Sequence, residues 1–159
     1  MVNITAVVLC YNEAINIRHC LESLRGFCDI HVVDSFSTDE TIDIAREYTD
    51  NIVCHEYANH ASQWLWALDN LDIQTEWILA MDADFVLTDA LKDQIEQDLS
   101  LVEDDVDGIY VRHRYVFGGG QVRFGGTKQF WLRIVRRDHA SVDESDLVDF
   151  RFLVEGRTI

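Results

Sequence analysis

The sequence predicts an α/β protein with a mostly parallel, doubly wound sheet, and three observations indicate this fold class. In the first hundred residues, short apolar runs alternate with segments of helical periodicity. The apolar runs are rich in β-branched residues, which is typical of strands buried on both faces. After residue 105 the helical segments stop, and glycine-rich turns separate strand-like runs. Such an alternation predicts right-handed crossovers and a ligand site beyond the carboxyl ends of the strands.

The alternation assigns four strands and four helices to the half of the domain formed by residues 1–105. Residues 4–10 (ITAVVLC) form a continuous apolar strand, and apolar side chains recur with helical spacing over residues 14–24. Ser37 and Glu40 have the spacing of a capping box, so Ser37 is predicted to be the N-cap of the second helix. The remaining elements are strands at 29–34, 51–56 and 76–82 and helices at 41–48, 60–71 and 88–102.

Residues 106–159 are predicted to form a β-rich, more basic half of the same domain. Strand-like runs cover residues 107–117 and 130–137, and the glycines at 118–120 and 125–126 indicate hairpin turns. The arginines of this half alternate with apolar residues, which predicts a solvated face of the sheet. These arginines are Arg112, Arg114, Arg123, Arg133, Arg136 and Arg137.

Several tryptophans and neighbouring aromatic residues are predicted to belong to the core. Trp64 and Trp66 are two residues apart on a predicted helix and cannot share a face, so one of them is expected to be buried. Phe130 and Trp131 open a strand, where an aromatic side chain is more often a core residue than a platform for a sugar.

The charge balance excludes one class of partner. The 159 residues include 29 acidic and 13 basic side chains, for a net charge of −16. Binding to nucleic acid requires a cationic face, so no nucleic-acid partner is expected. The four cysteines lack metal-binding spacing, and Cys10 and Cys54 lie in strand-like runs that predict buried, reduced thiols. Reduced thiols favour a cytoplasmic protein.

Two aspartates, Asp82 and Asp84, stand at the end of the fourth predicted strand. Side chains two apart in an extended segment point to the same side, so these carboxylates would face one site about 6–7 Å apart. Two ionised carboxylates at this separation are stabilised by water or a cation. Mg²⁺ or Mn²⁺ would complete its coordination with phosphate oxygens and water, which suits a nucleoside diphosphate. The alternative is a solvated turn at the end of the strand.

Polar clusters follow three of the predicted strands. They are CYNE at residues 10–13, DSFSTD at 34–39 and DAD at 82–84. Each cluster has a structural alternative, and Asn12, for example, would serve as a cap of the first helix. Three clusters on the ligand-binding edge of one sheet nevertheless indicate a shared site.

A resemblance to a known family is carried by four segments: AVVLCYNEAINIRHCLESL, DIHVVDSFSTDETIDIARE, NHASQWLWAL and EWILAMDADFVL. They closely resemble the family-2 inverting glycosyltransferases of the GT-A fold, especially the bacterial branch that builds lipopolysaccharide core and other surface glycans. The resemblance covers the whole chain, and its combined motifs are far more specific than a lone DxD. It implies a UDP- or GDP-linked sugar donor and a glycan or lipid-linked acceptor. It also implies a location in the cytoplasm or at the inner face of the membrane.

The resemblance further implies roles on the donor side of the site. Members of the family bind the base and ribose with the turn after the first strand and with the aspartate that ends the second strand. The second aspartate of the DxD pair takes the metal ion that bridges the diphosphate. The matching residues are Leu9, Tyr11, Glu13, Asp34 and Asp82 for the nucleotide and Asp84 for Mg²⁺ or Mn²⁺.

On the acceptor side, the resemblance implies a general base within SVDESDLVDF, and Asp143 and Glu144 are both candidates.

The chain departs from the family at two places. Relatives usually continue with Arg-Asn after NHASQ, where this chain has Trp64 and Leu65, so an arginine that could neutralise the diphosphate is missing. Relatives also run beyond residue 159, so we expect the acceptor-side half to be truncated and membrane association to need further segments.

The alternative to a glycosyltransferase is a non-catalytic module that retains the fold and binds nucleotide or a partner. Nucleotidyl transfer is disfavoured because LCYNEAINIR lacks a glycine- and lysine-rich phosphate loop.

Overall fold

The apolar runs of the sequence become the strands of one central sheet. The structure, a computed structural model, describes residues 2–118, 120–122, 129–145 and 151–159. Its helices are α1 (Ile17–Leu24), α2 (Thr41–Ala45), α3 (His60–Asn70) and α4 (Asp89–Leu101). Its strands are β1 (Ile4–Cys10), β2 (Asp29–Asp34), β3 (Ile52–Cys54), β4 (Trp77–Asp82), β5 (Val106–Arg112), β6 (Val116–Phe117), β7 (Gly120–Gln121), β8 (Phe130–Arg136), β9 (Ala140–Val142), β10 (Phe152–Val154) and β11 (Arg157–Thr158). Within these described parts, no helix has the length and apolar character needed to span a bilayer.

Seven strands form the central sheet in the order β11-β5-β8-β4-β1-β2-β3. Strands β3, β2, β1 and β4 pair in parallel, which confirms the predicted sheet of the first half. Strand β8 is antiparallel to β4 and β5, and β11 is parallel to β5, so strands after residue 105 extend the same sheet. Within the described residues, the antiparallel pairs β9–β10 and β6–β7 form two small two-stranded sheets. Arg123 and the predicted turn at 125–126 lie outside the described residues.

The winding of the sheet reverses at β1. Strands β2 and β3 follow on one side of β1, whereas β4 lies on its other side. A crevice opens at such a reversal, beyond the carboxyl ends of the two strands that flank it. Leu9 of β1 pairs with Asp82 of β4, so these two strands end side by side. The fold therefore brings the segment after β1 next to the DxD pair.

Alternate side chains of β1 divide the core into two layers. Val8 and Cys10 belong to the cluster that contains the apolar faces of α1, α2 and α4. Val7 and Leu9 belong to a second cluster, on the side of α3. Burying each of these valine or leucine side chains contributes about 1.5–3 kcal/mol, so the alternation fixes which side of β1 faces which helix.

The start of α2 differs from the prediction, because Ser37 is not its N-cap. The helix begins at Thr41, and its N-cap residue Glu40 makes no capping hydrogen bond through its side chain. The Ser37 hydroxyl instead donates to the carboxylate of Asp34 at the end of β2. The capping-box spacing was misleading because this carboxylate binds the serine and orders residues 35–39 as a loop.

A buried carboxylate fastens the C-terminal strand at the edge of the sheet opposite the crevice. Asp107 is 3% exposed and accepts hydrogen bonds from the backbone N–H of Gly156 and from His139 Nδ1, both at 2.7 Å. A Cβ on Gly156 would lie 2.5 Å from Asp107 Oδ2, so only glycine permits this approach. Arg136 pairs with Asp107 at 3.2 Å and also with Glu76, next to the first residue of β4.

The predicted burial of both strand cysteines is confirmed for Cys10 and wrong for Cys54. Cys10, Cys20 and Cys28 are buried, whereas Cys54 is exposed. Strand β3 is the last strand of the sheet and spans only three residues, so its final side chain receives little cover.

We expect a thiol reagent to modify Cys54 quickly and the other three cysteines slowly. Burial raises the pKa of Cys20 and Cys28 to about 12, and burial together with the nearby Asp34 carboxylate raises the pKa of Cys10 still further. These thiols therefore stay protonated at pH 8, and the reactive thiolate is absent. Titration with Ellman's reagent should give one fast thiol in the native protein, and Cys54→Ser should abolish it. A second fast thiol in the native protein would contradict this expectation.

Candidate functional site

A cleft of about 690 Å³ opens at the carboxyl ends of β1 and β4. It lies at the reversal of the winding, where the fold class predicts a ligand site. The residues predicted for the donor side that line it are Leu9, Tyr11, Glu13, Asp82 and Asp84. Ser35 and Phe36 of the predicted cluster at 34–39 also line it, together with residues that the sequence analysis did not assign to the site: Glu56, Tyr57, Gln63 and Phe85.

The two aspartates reach the cleft from a turn rather than from an extended segment. Strand β4 ends at Asp82, and the backbone N–H of Phe85 donates to the Asp82 carbonyl at 2.9 Å, which closes a turn. The buried Ala83 donates its N–H to Leu9 O at 3.2 Å and anchors this turn to β1. The predicted extended geometry is therefore wrong, because the strand ends two residues before Asp84. Asp82 and Asp84 nevertheless line the same cleft.

Hydrogen bonds join the loops that follow β1 and β2 into one wall of the cleft. The Asn12 N–H donates to Ser37 Oγ and the Thr38 N–H donates to Asn12 Oδ1, both at 2.8 Å. Asn12 therefore joins two loops and does not cap α1. Asn12 and Phe36 have φ values of +53° and +62°, in a region that costs a non-glycine residue about 1 kcal/mol or more. The hydrogen bonds between the loops hold both residues in this conformation.

Asp34 lies beneath this wall. It is 1% exposed, and its carboxylate accepts hydrogen bonds from the Ser37 N–H at 2.8 Å, from the Ser37 hydroxyl and from Cys10 Sγ. It is absent from the described residues that line the cleft. In this arrangement Asp34 holds the loop that presents Phe36, and its contact with a nucleotide base stays a prediction.

A buried glutamine joins the ends of β2 and β3 behind the cleft. Gln63 on α3 is fully buried, and its side chain donates to Ser35 Oγ at 3.3 Å and hydrogen-bonds with His55 Nδ1 at 2.8 Å. The His55 ring stacks on Trp66 with the ring centroids 4.2 Å apart. In the sequence, Gln63 is a polar residue among the apolar residues of the helix predicted at 60–71. This pattern could have identified Gln63 as a buried polar residue near the site.

Three exposed aromatic side chains stand along the cleft on the side of β1 and β2. Tyr11, Phe36 and Tyr57 are 57%, 59% and 48% exposed. Such exposure costs hydrophobic stabilisation that a planar ligand would restore by stacking on the rings. The hydroxyl of Tyr57 is 3.2 Å from His60 Nδ1, which fixes the tyrosine relative to α3. This side of the cleft therefore offers flat, apolar surfaces.

Acidic side chains also line the cleft, and two of them, Asp82 and Asp84, lie at the end of β4. Among the described residues that line it, four are carboxylates and none is a lysine or arginine: Glu13, Glu56, Asp82 and Asp84. A diphosphate would be repelled here unless a cation bound with it. Carboxylate oxygens are suitable ligands for Mg²⁺ or Mn²⁺. The described residues contain no group of three metal-binding side chains, so the ligand and water would have to complete the coordination. The site fits a cation that binds together with an anionic ligand.

An arginine lies directly behind Asp82. Arg133 of β8 is 5% exposed, and its Nη2 atom is 3.4 Å from Asp82 Oδ2. Its guanidinium lies over the rings of Phe85 and Trp131, 5.1 and 5.5 Å from their centroids. The prediction of a solvated face is wrong at Arg133, because β8 lies inside the sheet between β4 and β5. Conversely, Phe130, predicted to be core, is 56% exposed.

The structure does not place either candidate general base in the cleft. Asp143 and Glu144 follow β9, and neither is among the described residues that line the cleft. The Asp143 carboxylate accepts hydrogen bonds from the N–H and hydroxyl of Ser145, at 2.9 and 2.6 Å, which lower its pKa. Glu144 is exposed. Residues 146–150 of the same segment lie outside the described residues.

The mostly parallel central sheet places the chain in the GT-A fold class, because solved glycosyltransferases of this class share its fold. S. aureus TarS 1-349 in complex with UDP-GlcNAc superposes with a TM-score of 0.61 at 20% identity, over 84% of this chain and 45% of TarS 1-349. The Pyrobaculum calidifontis mannosyltransferase PcManGT in complex with GDP-Man and Mn²⁺ gives 0.56 at 23% identity, over 70% of this chain and 36% of PcManGT.

Residues 5–151 match the family described as Glycosyl transferase family 2, and the chain belongs to this family. The lipopolysaccharide core biosynthesis glycosyltransferase LpsC of Rhizobium meliloti (strain 1021) is 28% identical over 158 residues. This match covers 96% of the present chain and 58% of LpsC. The chain therefore spans somewhat more than half the length of this relative.

Trp64, at the position where the family resemblance leads us to expect arginine, is a core residue. It is fully buried, and its ring meets Phe152 of β10 in an edge-to-face contact with centroids 5.3 Å apart. Trp66, two residues on, is half-buried, which confirms that one of the two tryptophans belongs to the core. In this chain, position 64 therefore stabilises the packing of α3 against β10.

We expect Trp64→Arg to lower the free energy of unfolding by at least about 3 kcal/mol, because the substitution removes a buried ring and buries a charge. Trp66→Arg on the same helix should cost about 1 kcal/mol, because the half-buried position leaves the charge in contact with water. Urea denaturation of the three proteins checks this difference. Equal stability of the two variants would contradict this expectation and show that position 64 tolerates an arginine.

Proposed function

We propose that this chain is the nucleotide-sugar-binding part of a metal-dependent, inverting glycosyltransferase. The observation that carries the proposal is the cleft at the reversal point, which is lined by aromatic rings and by the Asp82–Asp84 pair. Membership of glycosyltransferase family 2 supports it. The likeness to TarS bound to UDP-GlcNAc and to PcManGT bound to GDP-Man and Mn²⁺ supports a UDP- or GDP-linked donor and a divalent cation.

The acceptor is a glycan or a lipid-linked saccharide of cell-surface polysaccharide synthesis. The role of LpsC in lipopolysaccharide core biosynthesis supports this class of acceptor. We place the protein in the cytoplasm or at the inner face of the membrane, and its four free cysteines support a reducing compartment.

The cleft suggests how the donor would lie. The base would stack on the aromatic side and the ribose would lie near Asp82, with Leu9 and Glu13 closing the same end of the cleft. Asp84, at the exposed corner of the turn, would hold Mg²⁺ or Mn²⁺. When bound, such an ion supplies the positive charge that offsets the departing diphosphate.

Glu144 is the better candidate for the general base. Inversion requires the acceptor oxygen to bond to the anomeric carbon as the bond to the diphosphate breaks, while a carboxylate takes the acceptor's proton. The hydrogen bonds from Ser145 lower the pKa of Asp143, which makes its carboxylate a weaker base. Glu144 is the neighbouring carboxylate, and its side chain is exposed to solvent. A movement of this segment toward the cleft would be needed on binding.

A non-catalytic module is the second candidate function. The observation that favours it is the absence of both candidate bases from the described lining of the cleft. This alternative predicts nucleotide binding without transfer of the sugar to acceptor or to water.

Calorimetric titration with UDP and with GDP, with and without Mn²⁺, tests the proposed site. We expect one of the two nucleotides to bind, with at least about tenfold higher affinity when Mn²⁺ is present, because the acidic cleft repels a free diphosphate. Asp84→Asn should abolish the gain from Mn²⁺, whereas Asp93→Asn on the exposed face of α4 should preserve it. Failure of both nucleotides to bind under any condition would refute the proposed function.

Hydrolysis of the donor sugar, with water as the acceptor, tests the assignment of the base. Glu144→Gln should lower the turnover rate by about 10²-fold without changing the affinity for the nucleotide, because only proton transfer is lost. Asp143→Asn is the matched control and should lower it by less than about tenfold. The opposite ranking would assign the base to Asp143, and binding without any hydrolysis would favour the non-catalytic module.

A further inference from the structure

Arg133 is a buried cation in contact with an acidic cleft whose described lining contains no lysine or arginine. The side chains of Arg133 and Asp82 are 6% and 26% exposed, so the pair extends from the interior of the sheet to the floor of the cleft. The 3.4 Å distance between Nη2 and Oδ2 places the positive charge against one carboxylate of the DxD pair. Because water has little access to Arg133, its charge is weakly screened there.

We propose that Arg133 is a positioning residue that neutralises Asp82 from within the protein and leaves Asp84 as the carboxylate available to the divalent cation. This inference rests on the proposed binding of a nucleoside diphosphate. The diphosphate then meets one uncompensated carboxylate of the pair instead of two. Arg133 therefore sets how strongly nucleotide binding depends on the metal, although it does not line the cleft itself.

The surroundings of Arg133 fix its charge in one place. A guanidinium is planar and weakly hydrated, so it packs against aromatic rings at a lower desolvation cost than the ammonium of lysine. Phe85 and Trp131 provide such rings, and His113 packs edge-on against Phe85 with centroids 4.8 Å apart. Phe85 follows Asp84 directly and lines the cleft. The same aromatic packing thus holds both Arg133 and the turn that carries the acidic pair.

The charge of Arg133 should change the affinity for the nucleotide by an amount that can be measured. Removing one weakly screened unit charge close to a bound diphosphate weakens metal-free binding by roughly tenfold. A divalent cation bound with the nucleotide supplies more charge than was lost, so it restores most of the affinity. The measured quantity is therefore the metal effect, the ratio of the dissociation constant without metal to that with saturating Mn²⁺.

The experiment measures this metal effect by calorimetry for the nucleotide that the wild type binds, with EDTA and with saturating Mn²⁺. Arg133→Gln should raise the metal effect about tenfold, and Arg133→Lys, which keeps the charge, should raise it far less. Asp82→Asn removes the carboxylate that Arg133 faces and one negative charge from the cleft, so it should lower the metal effect. The matched control is Arg136→Gln, which removes an ion-paired arginine from the same strand at the end opposite the cleft and should leave the metal effect unchanged.

Each outcome decides the proposal. A purely structural role for Arg133 would weaken binding by the same factor with and without Mn²⁺, and this result would overturn the inference while preserving the proposed function. An unchanged or raised metal effect in Asp82→Asn would also overturn it, and this variant stays informative if Arg133→Gln does not fold. Absence of nucleotide binding by the wild type would refute the proposed function and this inference with it.

Discussion

The register between β1 and β4 is the constraint on which the rest of the structure depends. It pairs Leu9 with Asp82, so the segment after β1 and the acidic turn after β4 end at the same point of the sheet. Register in a buried parallel pair is fixed by packing on both faces, and here Val8 and Val7 face different helices. A slip by one residue would exchange the two core layers and separate the two sides of the cleft.

Charge is distributed so that the acidic pair remains compatible with a folded protein. The chain has a net charge of −16, and four of its carboxylates are among the described residues that line the cleft, with no lysine or arginine beside them. Such a concentration of like charge opposes folding unless an opposite charge lies close by. Arg133 supplies that charge from the interior, through β8, a strand that comes from the second half of the chain. The β-rich half thus contributes to the electrostatics of a cleft formed by the first half.

The wall of the cleft on the side of β2 is formed in advance of any ligand. Asp34, buried at the end of β2, orders Ser37, and Ser37 in turn holds Asn12 of the neighbouring loop. This chain of hydrogen bonds keeps Asn12 and Phe36 at positive φ, a strained arrangement that is typical of functional sites. A wall fixed in this way lowers the conformational entropy that a ligand would have to remove on binding.

The sequence by itself determined the sheet and the place of the acidic pair, because these features depend on periodicity and chain order within one segment at a time. Strand and helix periods are local, and the carboxyl ends of consecutive parallel strands meet at one edge. Only the tertiary structure decided the burial of Arg133, the exposure of Cys54 and the partner of Ser37. Each of these depends on which strand or loop lies alongside. A strand with alternating arginines has the same sequence pattern at the edge of a sheet as inside it. Only the pairing of β8 with β4 places Arg133 against Asp82.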